Sequence, residues 1–291
     1  MRPSLLRLTA AVGAAAAVLA LTPSAFAADA VYGGQASSGE PIVLKADAKA
    51  KKLRSIIISW RAACGDGSSF SRGDALRPLA PDPGFSPGPT ELLVSRNAKG
   101  TFKGTQRGTL GSATVLATVE VSVDGKLKPA RASGTLAATV KVVDRATGAD
   151  IAACNTGRVR WSASHKPGII YGGSTSQGEP LVIRLTANRK GVSDVITTWH
   201  APCATSGGSY RVPYNFSNFP VSSTGRFGDA FTEDVPMDAG GNLHAEFALA
   251  GRISRASAKG TLQVKLSETD AAGVATDNCD SGGMTWKATT G

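Results

Sequence analysis

Four cysteines, three histidines and a spread of carboxylates are the residues in this chain whose types suit covalent, metal or acid–base chemistry. Their spacing narrows what each can do. Cys64, Cys154, Cys203 and Cys279 contain no C-x-x-C pair of the kind a structural zinc site uses. An even, sparse set of this sort fits two disulfides in an exported chain, which leaves no thiol as nucleophile. His165, His200 and His244 are scattered. No H-E-x-x-H helix and no G-x-S-x-G elbow occurs. A glycosidase needs only two carboxylates facing a cleft, but no pair stands out. Glu40 and Glu179 recur within Gly-Glu-Pro, where a turn before a strand accounts for them, and Asp277 and Asp280 flank Cys279 without the regular spacing of a calcium loop. No catalytic residue, metal or cofactor is expected.

Binding chemistry is better represented. Net charge is +10, and the excess of Lys and Arg falls in the first half of the chain, while the second half is near neutral. Lys45, Lys49, Lys51, Lys52 and Arg54 crowd one short segment and form a candidate polyanion-binding site, against the plainer alternative of a solvated face. Tyr210, Arg211, Tyr214, Asn215, Phe216 and Phe219 form a candidate ligand-binding cluster, since exposed rings beside amides suit stacking on sugars. The alternative is that this loop after Cys203 folds back and uses its rings as core or lid. Arg72-Gly73-Asp74 is an integrin-type tripeptide, though three residues recur easily by chance. It lies in a loop, 65–89, rich in Pro, Gly and Ser. Nucleic acid is not expected, because no stacking aromatics are interleaved with the charges.

These residues sit in a frame that repeats. Tyr32-Gly33-Gly34 and Gly39-Glu40-Pro41 recur as Tyr171-Gly172-Gly173 and Gly178-Glu179-Pro180. Trp60 and Cys64 recur as Trp199 and Cys203; Gly134-Thr135-Leu136 as Gly260-Thr261-Leu262; Cys154 and Trp161 as Cys279 and Trp286. Four landmarks in one order imply a duplication, and each repeat then owns one early and one late Cys. The economical pairing is Cys64–Cys154 and Cys203–Cys279.

Both repeats alternate with the period of a half-buried strand. Val115, Ala117, Val119, Val121 and Val123 form one such row, and Leu243, Ala245, Phe247 and Leu249 another. Asp124-Gly125 and Ala250-Gly251 stand where hairpin turns are expected, with Gly supplying positive φ. No helical stripe follows the N-terminal segment. The expected fold is all-β: two tandem homologous β-sandwich-like or barrel-like domains, residues 28–166 and 167–291, each with one intradomain disulfide. Residues 1–27 carry Arg2 and Arg7, an apolar core shorter than the roughly 20 residues of a spanning helix, and Ala25-Phe26-Ala27, the pattern of a bacterial-type signal peptide. No transmembrane segment is expected after its removal.

The resulting expectation is a secreted, noncatalytic binding or structural protein of the extracellular space or cell envelope, engaging envelope polysaccharide or another anionic polymer. Two alternatives stay open: a secreted carboxylate-dependent hydrolase such as a glycosidase, and an extracellular protein ligand or inhibitor acting through the 65–89 loop.

Overall fold

The computed structural model describes residues 29–76, 86–87, 100–111, 114–237 and 240–291. Residues 1–27, expected to be a signal peptide, and residues 77–85 and 88–89 of the 65–89 loop lie outside them. All regular elements among the described residues are strands. The first half contributes β1 (Ala30–Ala36), β2 (Pro41–Ala46), β3 (Leu53–Cys64), β4 (Ser69–Leu76), β5 (Ser86–Pro87), β6 (Thr101–Gly111), β7 (Val115–Leu127), β8 (Arg131–Asp144), β9 (Asp150–Asn155) and β10 (Val159–Ser164). The second contributes β11 (Ile170–Thr175), β12 (Pro180–Leu185), β13 (Gly191–Pro202), β14 (Ser209–Pro220), β15 (Arg226–Pro236), β16 (Asn242–Ile253), β17 (Ser257–Thr269), β18 (Ala275–Asp280) and β19 (Met284–Thr289).

Each half forms its own antiparallel, barrel-like sheet. In the first, neighbours run β4-β3-β2-β1-β10-β8-β7-β6-β5. The second repeats this order as β14-β13-β12-β11-β19-β17-β16-β15. The barrel-like form, rather than the sandwich, follows from how each sheet curls back on itself. β9 pairs with β8 along one side and touches β3 at Cys64↔Cys154, so hydrogen bonding runs round a closed ring. In the second half β18 does the same through the bridge Cys203↔Cys279. Both bridging pairs are disulfides, Cys64–Cys154 and Cys203–Cys279, with sequence separations of 90 and 76. The covalent bond thus sits where each ring closes with fewest ladder hydrogen bonds.

Alternation fills the interiors. Val119, Val121 and Val123 of β7 and Leu136, Ala138 and Val140 of β8 face inward with Trp60 and Trp161. Phe247, Leu249, Leu262 and Val264 do so with Trp199 and Trp286 in the second sheet. Tyr32 and Tyr171 are fully buried, and their hydroxyls donate to Lys128 O and Ser254 O, each at 3.0 Å.

Two expectations need correction. Gly125 and Gly251 are not turn residues: they lie inside β7 and β16, opposite Gly134 and Gly260. A Cβ at Gly125 would stand 2.6 Å from Trp161, and one at Gly251 2.7 Å from Trp286, so these glycines make the seat on which the last-strand tryptophan packs. The segment after Cys203 is also not a loop. It is β14, and a left-handed backbone at Asn218 (φ 66°) breaks the alternation so that both Phe216 and Phe219 face inward.

The two sheets meet through matched residues. Val31, Val43 and Ile57 pack against Ile170, Val182 and Ile196, which occupy the matching strand positions of the second sheet. Gly33 and Gly172 face this contact reciprocally: a Cβ at Gly33 would lie 2.7 Å from Val182, and one at Gly172 2.8 Å from Val31 and Val43. The other glycine of each Gly-Gly pair, Gly34 or Gly173, lies against the backbone of the adjacent last strand. The Tyr-Gly-Gly motif therefore encodes, in order, a core ring, a contact between sheets and a contact within the sheet.

Candidate functional site

The strand ends that carry Ala30, Ala46, Leu127, Arg131 and Ser164 come together at one end of the first sheet. Asp47 folds the β2–β3 turn there, its carboxylate accepting the backbone N–H of Lys51 at 2.5 Å and of Lys52 at 3.1 Å. Ala50 takes a left-handed φ of 52° at the tip and is buried with Leu53, Leu127 and Trp161 in the same core. That arrangement pins the turn across the barrel mouth and leaves Lys49, Lys51 and Lys52 exposed. The β7–β8 turn adds exposed Lys126, Lys128 and Arg131, and the linker adds Lys166. Chain topology thus collects cations from three separate segments. Lys45 is half-buried and Arg54 is tied to Asp29 at 2.9 Å, so these two stand apart from the free turn lysines.

The aromatic cluster is divided between core and rim. Phe216 and Phe219 are buried in the second core, and Tyr214 stacks on Phe247 with ring centroids 4.6 Å apart. Tyr214 and Phe216 also meet Phe231 of β15, while Phe219 meets Phe227, so rings bridge two strands that share no ladder. The Tyr214 hydroxyl donates to Glu233 at 2.9 Å and that of Tyr210 to Glu268. Burial and these carboxylates raise both phenols to about 12. Asn215 is exposed beside Asp194. Five of the six cluster residues are therefore engaged with the protein's own core or neighbours, and the set presents no open platform of rings.

Arg211, the remaining member, belongs to a polar cluster between the sheets. It pairs with Glu179 at 2.8 Å and donates to Ser71 O at 3.2 Å. Ser59 donates to the other Glu179 oxygen at 2.8 Å. A Cβ on Gly73 would lie 2.3 Å from that carboxylate, which explains the glycine. Asp74 accepts from Trp60 Nε1 at 2.6 Å and from Arg72 Nε at 2.7 Å. Arg72-Gly73-Asp74 is thus a strand segment whose acid is 1% exposed, which removes it as an exposed integrin-type tripeptide. Burial pushes Glu179 above the usual carboxylate range, against the pull of Arg211 and Ser59. Asp74 and Glu179 are acids that the fold brings into one buried cluster. Both are closed over by guanidinium partners and 1% exposed, so neither can protonate or attack a sugar.

The remaining candidates are structural. His165 Nδ1 lies 2.8 Å from Val31 O at the linker, and His244 pairs with exposed Asp234. Burial lowers the His200 pKa, and its backbone N–H donates to Gln177 Oε1 at 3.0 Å. Asp277 accepts the backbone N–H groups of Thr205, Ser206 and Asn278; the Ser206 hydroxyl first, and then these N–H groups, hold it well below the usual carboxylate range. It lies near Cys203 and Cys279, but both sulfurs are consumed in the disulfide, so the group offers no metal set.

Among the described residues no helix is long and apolar enough to cross a membrane, and the two disulfides point to an oxidising compartment. No protein-family model, no curated protein and no solved structure matches this chain.

Proposed function

We propose that this chain is an exported, noncatalytic binding protein that holds an anionic polysaccharide of the cell envelope. The observation that carries this reading is the cationic end of the first sheet, where Lys49, Lys51, Lys52, Lys126, Lys128, Arg131 and Lys166 stand exposed on segments that the topology draws together. Like charges so gathered repel each other, and together they raise the local concentration of a polyanion. Support also comes from the disulfides, which suit an exported chain and leave no free thiol, and from the buried acids Asp74 and Glu179, each closed over by an arginine.

The test is retention of the mature protein on immobilised anionic polysaccharide over a salt series, beside the triple variant Lys49→Ser/Lys51→Ser/Lys52→Ser. Wild-type retention should fall steeply between about 0.05 and 0.5 M salt as screening shortens the range of the charges, and the variant should elute earlier. Retention equal for the two proteins, or none for the wild type, would count against this end as the binding surface.

A further inference from the structure

Resting on the polyanion reading above, we infer that the second sheet, near neutral in overall charge, carries a separate built site for the same class of ligand: a row of four cations laid across four adjacent strands. Arg226 of β15 stands opposite Arg252 of β16, Arg252 opposite Lys259 of β17, and Lys259 opposite Lys287 of β19. Directly opposed residues share one face of a sheet. All four side chains are exposed, while their neighbours Phe227, Ala258, Trp286 and Ala288 are buried, so the row lies on the outside. With strands about 4.8 Å apart it runs for about 14 Å perpendicular to the strands.

Three features separate this row from a solvated face. First, none of the four has a carboxylate within salt-bridge distance among the described residues; Arg252 Nε donates to Thr224 O at 3.2 Å. Second, opposed like charges destabilise a sheet, and here every neighbouring pair along the row is alike. Third, the fold does not need them. The same ladder positions in the first sheet read Thr101, Lys126, Ser133 and Ser162, with a single cation. The row borders a shallow trough of about 510 Å³ whose other lining includes Ala250, Thr261 and Thr285, small enough to let a chain lie close to the backbone.

The occupant that fits is a linear anionic polysaccharide lying across the strands, its carboxylate or sulfate groups meeting successive guanidinium and ammonium groups and its hydroxyls meeting Thr261 and Thr285. A nucleic acid fits less well, because the rings under the trough, Phe227 and Trp286, are buried and offer no face for base stacking.

The experiment measures binding of heparin, as a linear sulfated glycan, to the full mature chain at low salt by titration calorimetry. The variant Arg226→Thr/Lys259→Ser/Lys287→Ser rebuilds the first sheet's row in the second, a set of residues this fold already accommodates. It should lose one class of heparin site, lowering the stoichiometry to that of the first-sheet site alone, with a shallower salt dependence of overall binding, and its melting temperature should equal or exceed that of the wild type. Undiminished binding by this variant, with loss only in the Lys49/Lys51/Lys52 variant, would overturn the row and leave the first-sheet site standing. No heparin binding by the wild type would overturn both. Duplex DNA bound as tightly as heparin and released by the row variant would overturn the glycan as occupant, and a dimer in sedimentation that the row variant dissociates would make the row a contact between copies instead.

Discussion

At the scale of single residues, Glu179 shows how a side chain acquires a role from partners that lie far away in sequence. Its two oxygens are taken by Ser59 of the other sheet and by Arg211, with Asp74 and Arg72 close enough to act on its charge. The folded protein holds a proton on Glu179 more tightly than the unfolded chain does, whose value is near 4.5. The stabilisation this confers is complete below about pH 4.5 and is lost as pH rises through the raised folded value. Glu179→Gln should therefore flatten the fall in stability over that interval, as read from urea unfolding at a series of pH values; curves that stay parallel to the wild type would refute it. Sequence alone made Gly-Glu-Pro legible as a turn before a strand, and it is one, with Gly178 at φ 83°. It could not make the carboxylate legible, since Ser59 is 120 residues away. The turn lysines were legible because charge density is local. The row on the second sheet was not, because its members are spread over four strands and only register aligns them.

At the scale of elements, the glycine seats determine how closely the indole of Trp161 packs on β7 and β8 and that of Trp286 on β16 and β17. A glycine in an alternating pattern signals either a turn or a close approach, and only the partner decides; here Trp161 and Trp286 are the partners. A Cβ at Gly251 would meet Phe227 at 2.5 Å and Trp286 at 2.7 Å. Gly251→Ala should cost about 1–3 kcal/mol through overpacking. The cost should shrink in a Trp286→Phe background, where the six-membered part of the indole is gone; equal costs in both backgrounds, by denaturant unfolding, would show that the ring is not what the glycine accommodates. The disulfides were legible from the repeat, and the strands from their alternation. Opening Cys64–Cys154 by paired Cys→Ser substitution should cost about 4.5 kcal/mol on the chain-entropy account of a 90-residue separation, measurable as a lowered urea midpoint. The β14 strand was less legible, because Asn218 interrupts its alternation and its polar residues suggest a loop.

At the scale of the whole molecule, the two sheets are joined by a contact that is nearly its own mirror in sequence: Val31, Val43 and Ile57 meet Ile170, Val182 and Ile196. Such a patch resembles the isologous interface of a two-fold dimer, in which one surface serves both partners, here held in a single chain by a short linker. The polar cluster breaks the equivalence. Glu179 is fully engaged, whereas its counterpart Glu40 leaves Oε2, and Thr198 leaves Oγ1, without a hydrogen-bond partner. Apolar packing, about 1.5–3 kcal/mol for each fully buried Val or Ile, must therefore outweigh an imperfect set of polar contacts. The glycines that admit it are the sensitive points. Gly172→Val would place atoms within 2.8 Å of Val31 and Val43 on the opposing sheet while leaving the barrel interior untouched. It should separate the sheets without unfolding either one: the radius of gyration in solution scattering should rise, and calorimetry should resolve two unfolding transitions where the wild type shows one. An unchanged scattering profile with one lowered transition would mean instead that the glycine serves its own sheet and that the sheets are held together elsewhere, through Arg211 and Glu179.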